Sequence, residues 1–129
     1  MPRLRVVAVA ARLPEWAEAA CSDYARRMPR GYKVERVSVR KEPENLGKCI
    51  VLDERGKDLT TAQFARLLGE ETTFLIGGAD GLSDDVKRKA ALLLRLSSLT
   101  LPHALAQVVL LEQIYRAATL LSGHPYHRA

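Results

Sequence analysis

Short apolar runs and helical patterns alternate along this chain, and the alternation restricts its fold more than any other feature. Patterns typical of strands occupy residues 4–9, 33–39, 49–52 and 72–76. A short strand or loop is predicted at 96–101, and helices are predicted to start near Pro14, Thr60, Ser83 and His103. Strands that alternate with helices predict an α/β fold with a mostly parallel sheet. We expect one domain spanning residues 1–129, which is long enough for a core of its own.

Local signals mark the first three helix starts. Proline is favoured in a first helical turn, which fits Pro14. Thr60 and Gln63 have the spacing of a capping box. Ser83 is followed by two aspartates, which stabilise the positive end of a helix. On the first helix, one face would carry Trp16, Ala20 and Tyr24.

The last helix, predicted over 103–122, is apolar around most of its circumference. Two aliphatic residues, Val109 and Leu120, fall on the side predicted to be polar, with Gln107, Glu112, Gln113, Arg116 and Thr119. A chain of this size cannot enclose such a helix fully, so the pattern favours a homodimer seam. The alternative is two exposed aliphatic side chains of no special importance.

Composition restricts the partners and the compartment. A net charge of +5 favours an anionic partner, most commonly a nucleic acid for a small basic domain. Cys21 and Cys49 have no metal-ligand spacing and are expected to be buried thiols in a reducing compartment. No stretch approaches membrane-spanning length and the histidines form no metal constellation, so we expect a cytoplasmic protein with no membrane and no metal partner.

Turn-forming residues follow the strands where a parallel sheet usually binds ligands, beyond its carboxyl edge. Gly77 and Gly78 directly follow a strand, but they match neither the dinucleotide fingerprint nor a phosphate-binding loop. They either let backbone approach a ligand or form a plain turn. Residues 97–102 either offer backbone groups to a purine ring or are an ordinary strand end, with His103 as a helix cap.

The chain ends with a cluster of functional side chains. Residues 124–128 read HPYHR and follow the last helix without a linker. Such an end is either a frayed tail or a cluster held against a surface where a proton or an anion is handled.

Several motifs in this order resemble the RlmH family, the pseudouridine N3-methyltransferases of large-subunit ribosomal RNA. They are residues 4–10, LDERGK at 52–57, LIGGADGL at 75–82, SLTLPH at 98–103, EQIYRA at 112–117 and HPYHR at 124–128. The resemblance covers nearly the whole chain. It implies a SPOUT-type α/β fold with a C-terminal trefoil knot, a homodimer, S-adenosylmethionine as methyl donor, and ribosomal RNA within an assembled ribosome as substrate.

The resemblance also implies site residues. The cofactor site would be lined by Leu52, Gly77, Gly78, Leu96, Ser97, Ser98, Leu99, Thr100 and Leu101. The tail would reach the cofactor bound by the other protomer. Within the tail, Tyr126 would stack on the base, His127 would assist proton loss and Arg128 would steady an anion. His103 is a second candidate for the proton, against its reading as a helix cap. Apart from the resemblance, the basic surface would engage RNA phosphates through Arg3, Arg26, Arg27, Arg30, Lys33 and Arg40, and the alternative is a solvated face of scattered basic side chains.

One segment departs from the family pattern. Members usually carry a helix between the second and third strands, whereas residues 40–48 alone join them here. A parallel crossover generally needs a dozen or more residues, so the second strand is expected to pair differently or to lie at a sheet edge. The rival interpretation is therefore a ribosome- or RNA-binding module of the same fold that lost catalysis with the missing helix.

Overall fold

A computed structural model describes residues 2–9, 12–44, 47, 49–78 and 80–126. Five strands form one sheet in the order β2-β1-β4-β3-β5, with parallel pairing throughout the described residues. The elements are β1 (Arg3–Val9), α1 (Glu15–Arg26), β2 (Lys33–Val39), β3 (Ile50–Asp58), α2 (Thr61–Ala65), β4 (Glu71–Ile76), α3 (Asp84–Lys89), β5 (Leu92–Arg95) and α4 (His103–Ser122). The predicted α/β class and parallel sheet are confirmed.

The two faces of the sheet are covered unequally. Alternate residues of the central strands, such as Leu4, Val6 and Phe74, form the main core with α1, α2 and α4. The residues between them, such as Val7 and Leu75, form a smaller cluster on the opposite face, against α3. Helix α3 is therefore the cover of that second face among the described elements.

Local capping signals predicted the helix starts correctly. The Thr60 hydroxyl accepts a hydrogen bond from the Gln63 amide at 3.1 Å, and the Gln63 side chain accepts one from the Thr60 amide at 2.9 Å. The Ser83 hydroxyl accepts one from the Val86 amide at 3.2 Å. Along α1, the predicted face is partly wrong: Ala17 and Cys21 are buried, whereas Trp16 is 56% exposed. Cys21 and Cys49 are buried free thiols, as expected.

The third and fifth strands differ from the prediction. Strand β3 does not end at Leu52, because Leu52 and Lys57 both pair with Leu94 and residues 53–56 bulge out between them. Strand β5 occupies Leu92–Arg95, so the predicted strand or loop at 96–101 is a loop that follows the strand. No turn residue separates α3 from this leucine-rich strand, which is why the sequence pattern did not show its start.

The short connection between β2 and β3 is long enough because β3 starts near the carboxyl edge of the sheet, where β2 ends. Ile50 is level with Phe74 of β4, which is level with Val6 of β1 and hence with Arg36 of β2. The chain leaving Val39 therefore descends by only about 10 Å before β3 begins. Strand β2 lies at the sheet edge, as one of the two expectations had it.

Helix α4 packs on α1 and α2 and is buried more evenly than predicted. Gln107 and Thr119, both assigned to the polar side, are 3% and 1% exposed, whereas Leu121 of the predicted apolar face is 47% exposed. Val109 and Leu120 are half-buried. By length and composition alone α4 could cross a membrane, with 20 residues and a mean hydropathy of 1.2, which corrects the expectation that no stretch approaches that length. The same test is passed by core helices, and eight residues of α4 are buried.

Candidate functional site

A cavity of about 490 Å³ opens at the carboxyl edge of the sheet, where β4 and β5 end beside the bulge in β3. This volume falls within the range of small-molecule sites. Its walls come from the bulge in β3, the loop after β4, helix α3, the loop after β5 and the first turn of α4. We call this cavity the edge pocket; it includes Leu52, Asp53, Gly77, Gly78, Gly81, Leu82, Lys87, Leu96, Leu99, Leu101, His103 and Ala106.

The loop after β4 packs so closely that one position requires glycine. A Cβ atom added at Gly77 would lie 2.9 Å from the Gly81 carbonyl carbon and 2.9 Å from the Leu82 Cγ. Gly81 itself adopts a φ of +72°, which favours glycine, and its amide donates to the Gly78 carbonyl at 3.0 Å. The glycines of this turn, Gly77, Gly78 and Gly81, therefore present backbone rather than side chains to the edge pocket.

The opposite wall is the β3 bulge, held against β5 by a second close approach. A Cβ atom at Gly56 would lie 2.6 Å from the Leu94 carbonyl carbon. At the rim, the Asp53 carboxylate forms an ion pair with the Lys87 ammonium of α3 at 3.4 Å, and the Asp53 side chain is only 11% exposed. The bulge and α3 are thus joined across the rim of the edge pocket.

Another ion pair lies beside this wall. The Arg95 guanidinium Nε donates to Asp58 Oδ1 at 2.7 Å, and a second bond joins its Nη2 to Oδ2. The hydrogen bond from Arg95 lowers the pKa of Asp58. Arg95 lines the edge pocket, but its charge is already matched by Asp58. Sequence reasoning missed Arg95 because it missed β5.

The loop from 96 to 102 leads into α4 and places a histidine at the cavity. The amide of Leu99 donates to the Ser97 hydroxyl at 2.9 Å, and the Leu99 side chain is 74% exposed. Pro102 is the N-cap of α4, so the interpretation of His103 as the cap is wrong. His103 instead lines the edge pocket, and its Nε2 atom is buried with no hydrogen-bond partner among the described residues. An unpaired buried nitrogen is costly to leave without a ligand or water.

Most of the predicted cofactor residues meet at this cavity. All of them except Ser98 line the edge pocket. Residues that sequence reasoning did not assign to the site include Asp53, Glu54, Asp80, Leu82, Lys87 and Ala106. Asp53 and Glu54 directly follow the strand predicted at 49–52 and lie in the β3 bulge, whereas Lys87 and Ala106 come from helices whose orientation no local pattern gives.

The tail residue Tyr126 lies in a separate group of side chains on α4, which we call the tail cluster: Glu112, Tyr115, Arg116 and Tyr126. The Tyr126 hydroxyl donates to Glu112 Oε2 at 2.8 Å, and Arg116 Nη2 donates to the same oxygen at 2.6 Å. The Tyr126 ring packs edge-on against Tyr115, with 4.6 Å between centroids, and the Arg116 guanidinium lies 5.0 Å from the Tyr126 ring centroid. Tyr126 is therefore held against the helix by three kinds of contact: a hydrogen bond, a ring–ring contact and a cation–π contact.

Burial and the bond to Glu112 raise the pKa of Tyr126 to about 12. The phenol consequently stays protonated near neutral pH. Tyr126 does not line the edge pocket; it is level with Glu112, which lies about 14 Å along the helix axis from His103. His127 and Arg128 lie outside the described residues.

The basic side chains expected to meet RNA are on the surface. Arg3, Arg26, Arg27, Arg30, Lys33 and Arg40 are all exposed. Two of them, Arg26 and Arg27, form ion pairs with Asp23 at 2.9 and 3.3 Å, which leaves that stretch less positive than the sequence suggests. Among the described residues, no three His, Cys, Asp or Glu side chains lie close enough to hold a metal ion.

Known proteins match this chain over nearly its whole length. A family model described as predicted SPOUT methyltransferase matches residues 2–127. Proteins named ribosomal RNA large subunit methyltransferase H are 45% identical in Methylibium petroleiphilum and 46% identical in Polynucleobacter asymbioticus, each alignment covering 98% of this chain and 99% of the relative. These alignments run over 154 and 145 positions, so the relatives carry residues that this chain of 129 lacks.

The fold also matches a solved structure. A Bacillus anthracis protein, described as a candidate RNA methyltransferase, superposes with a TM-score of 0.62 at 12% identity and 98% coverage of both chains. At that identity the match concerns the fold alone. With the family model and the curated relatives, it shows that this chain belongs to the SPOUT methyltransferase family.

Proposed function

We propose that this chain transfers a methyl group from S-adenosylmethionine to N3 of a pseudouridine in large-subunit ribosomal RNA. The observation that carries the proposal is the edge pocket, in which a glycine turn, a strand bulge and the loop after β5 meet beside a buried unpaired histidine nitrogen. The curated relatives with which the chain aligns are named for methylation of the large ribosomal subunit. A ribosomal substrate implies that the protein acts in the cytoplasm.

The residues of the edge pocket fit the proposed donor. Leu52, Leu96 and Leu101 offer apolar surface to a planar base, and the closely packed turn at Gly77 brings main-chain groups to the cavity wall without side chains. The Lys87 ammonium and the Asp53 carboxylate at the rim suit a zwitterionic amino-acid end. S-adenosylmethionine supplies a methyl group on a positively charged sulfur, so the protein has to supply position and proton transfer.

The acceptor nitrogen carries a proton that must leave as its bond to the methyl carbon forms. His103 is suited to accept it, because its Nε2 is unpaired at the cavity and imidazole is the side chain that most often transfers protons in catalysis. His127 from the tail is the other candidate. Tyr126 is not a base near neutral pH, since its pKa is about 12. Its ring and its bond to Glu112 instead hold Tyr126 against α4.

A homodimer and a C-terminal trefoil knot are part of this proposal. Three large apolar side chains are exposed on α1 and α4: Trp16 at 56%, Leu105 at 38% and Leu121 at 47%. A second copy that covered them would gain hydrophobic burial. It would also allow the tail of one copy to complete the edge pocket of the other, which is consistent with Tyr126 lying outside the edge pocket of its own chain.

Two experiments test the proposal against its rival, a binding module without catalysis. Large-subunit RNA from cells with and without the gene is digested and analysed by mass spectrometry, and we expect one methylated pseudouridine to disappear with the gene. Calorimetry of the purified protein with S-adenosylmethionine should show saturable binding. Unchanged RNA together with no saturable binding would support the module instead.

A further inference from the structure

We propose that Glu42, in the short connection between β2 and β3, is a positioning residue that braces the edge pocket through α3. The inference rests on the proposed function, because it concerns the affinity of the edge pocket for the methyl donor. It assigns a task to the segment in which this chain departs most from the family pattern.

Glu42 holds Ser83 through two hydrogen bonds. Glu42 Oε2 accepts a hydrogen bond from the Ser83 amide at 2.6 Å, and Glu42 Oε1 accepts one from the Ser83 hydroxyl at 2.7 Å. The Ser83 oxygen in turn caps α3 by accepting from the Val86 amide. Hydrogen bonds to a carboxylate are about twice as strong as neutral ones. The carboxylate therefore fixes the residue at which the pocket loop becomes a helix.

Helix α3 depends on such external support. It has only six residues and none is buried, and a helix that short is not stable by itself. Val86 and Ala90 give it its apolar contacts with the second face of the sheet. The ion pairs of Asp85 with Arg88 and Lys89 stay within the helix and its exposed side, so they do not attach it to the rest of the fold.

Both ends of this support reach the edge pocket. Leu82, directly before Ser83, would lie 2.9 Å from a Cβ atom at Gly77, so the two residues pack tightly. One turn into the helix, Lys87 forms the ion pair with Asp53 on the opposite wall. A displacement of Ser83 therefore moves the glycine turn and loosens the bond across the rim. Glu42 itself does not line the edge pocket, so it acts on the donor only through these residues.

The test compares Glu42→Ala with Glu44→Ala, which removes an acid from the same connection. Calorimetry first establishes that the unaltered full-length protein binds S-adenosylmethionine. We expect Glu42→Ala to weaken this binding about tenfold, as loss of hydrogen bonds to a charged group implies. The KM for the donor should rise in parallel while kcat at saturating donor stays unchanged. Glu44→Ala should match the unaltered protein. Glu42→Gln keeps an acceptor for the Ser83 amide and should fall between the two.

Hydrogen exchange separates a brace from general loss of stability. In Glu42→Ala, amides at 82–87 should exchange faster, while those of α2 should keep the unaltered rate. Donor affinity within about twofold of the unaltered protein would overturn the inference, as would a uniform rise in exchange with no change in KM. If the unaltered protein binds no donor, the proposed function fails first and this inference fails with it.

Discussion

The edge pocket and the tail cluster lie along the same helix but are built by different means. At the first turn of α4, the edge pocket is shaped by close backbone approaches, as at Gly77, where a Cβ atom would meet neighbours at 2.9 Å. Further along α4, the tail cluster consists of side chains that meet around the Glu112 carboxylate. The first region should therefore be sensitive to added atoms, and the second to removed charges and hydroxyls.

The difference also separates two tasks. The edge pocket leaves a buried nitrogen of His103 without a partner, which is a state suited to receiving a ligand. The tail cluster leaves the Tyr126 hydroxyl fully engaged with Glu112. A side-chain group that is already hydrogen-bonded can hold its residue in position, whereas an unpaired group is available for chemistry. On this comparison, we propose that the proton-transfer residue belongs to the edge pocket and that the tail cluster holds Tyr126 in place.

The largest expected effect follows from replacing the unpaired histidine. His103→Ala should lower kcat by about 100- to 10,000-fold, the usual contribution of a positioned acid or base. Donor affinity should change little, because the backbone walls remain. Single-turnover methylation of ribosomes measures the first quantity and calorimetry the second. Ser122→Ala, at the other end of α4 and outside both the edge pocket and the tail cluster, is the control. Near-normal turnover in His103→Ala would indicate His127 as the proton acceptor instead. The chemistry would then not belong to the edge pocket alone.

A smaller loss is expected from one added methyl group in the pocket wall. Gly77→Ala forces its Cβ atom against Gly81 and Leu82. Overpacking of this kind costs about 1–3 kcal/mol, which should appear as weaker donor binding in calorimetry. Gly69→Ala is a matched control, because a Cβ atom at Gly69 meets nothing within 4 Å. Equal affinities for the two variants would show that the turn is not part of the donor site.

How well the sequence predicted each part depends on how local its cause is. The caps at Thr60 and Ser83 were predicted because their partners lie three residues away. The carboxyl-edge loops were predicted because parallel strands end together, and the family resemblance then named residues of which all but Ser98 line the cavity. Strand β5 was not found, since its leucines also suit a helix and its pairing partner β3 is distant in sequence.

The remaining failures have the same physical origin. Gln107 and Thr119 are buried because α1 and α2 pack against α4, which helical periodicity alone does not reveal. His103 was read as a cap because proline and histidine precede a helix, whereas its role follows from the loop that brings it to the cavity. The grip of Glu42 on Ser83 joins residues 41 positions apart and has no local signal.

The tail cluster should respond to loss of a single hydrogen bond. Tyr126→Phe should reduce the free energy of unfolding by about 1 kcal/mol, and Glu112→Ala by more because it also removes the ion pair with Arg116; the double variant should lose less than the sum, since both changes remove the bond between Tyr126 and Glu112. Urea unfolding of the four proteins gives the coupling energy. Turnover should fall in both single variants if the bond positions Tyr126. A loss confined to Tyr126→Phe would mean that the hydroxyl itself touches the substrate, contrary to the assignment made above.

The effect expected over the narrowest range of conditions is a pH dependence that belongs to one tyrosine. Because the folded-state pKa of Tyr126 is raised to about 12, the folded protein keeps a proton that the unfolded chain releases near pH 10. The stabilisation is therefore complete below pH 10 and is lost as the pH rises towards 12. Absorbance at the phenolate band should show one late-titrating tyrosine, which Tyr126→Phe removes. Tyr32→Phe leaves the tail cluster intact and should keep the late transition. Persistence of that transition in Tyr126→Phe would show that the phenol is not held by Glu112. The tail cluster would then no longer contrast with the edge pocket, in which the His103 nitrogen is unpaired.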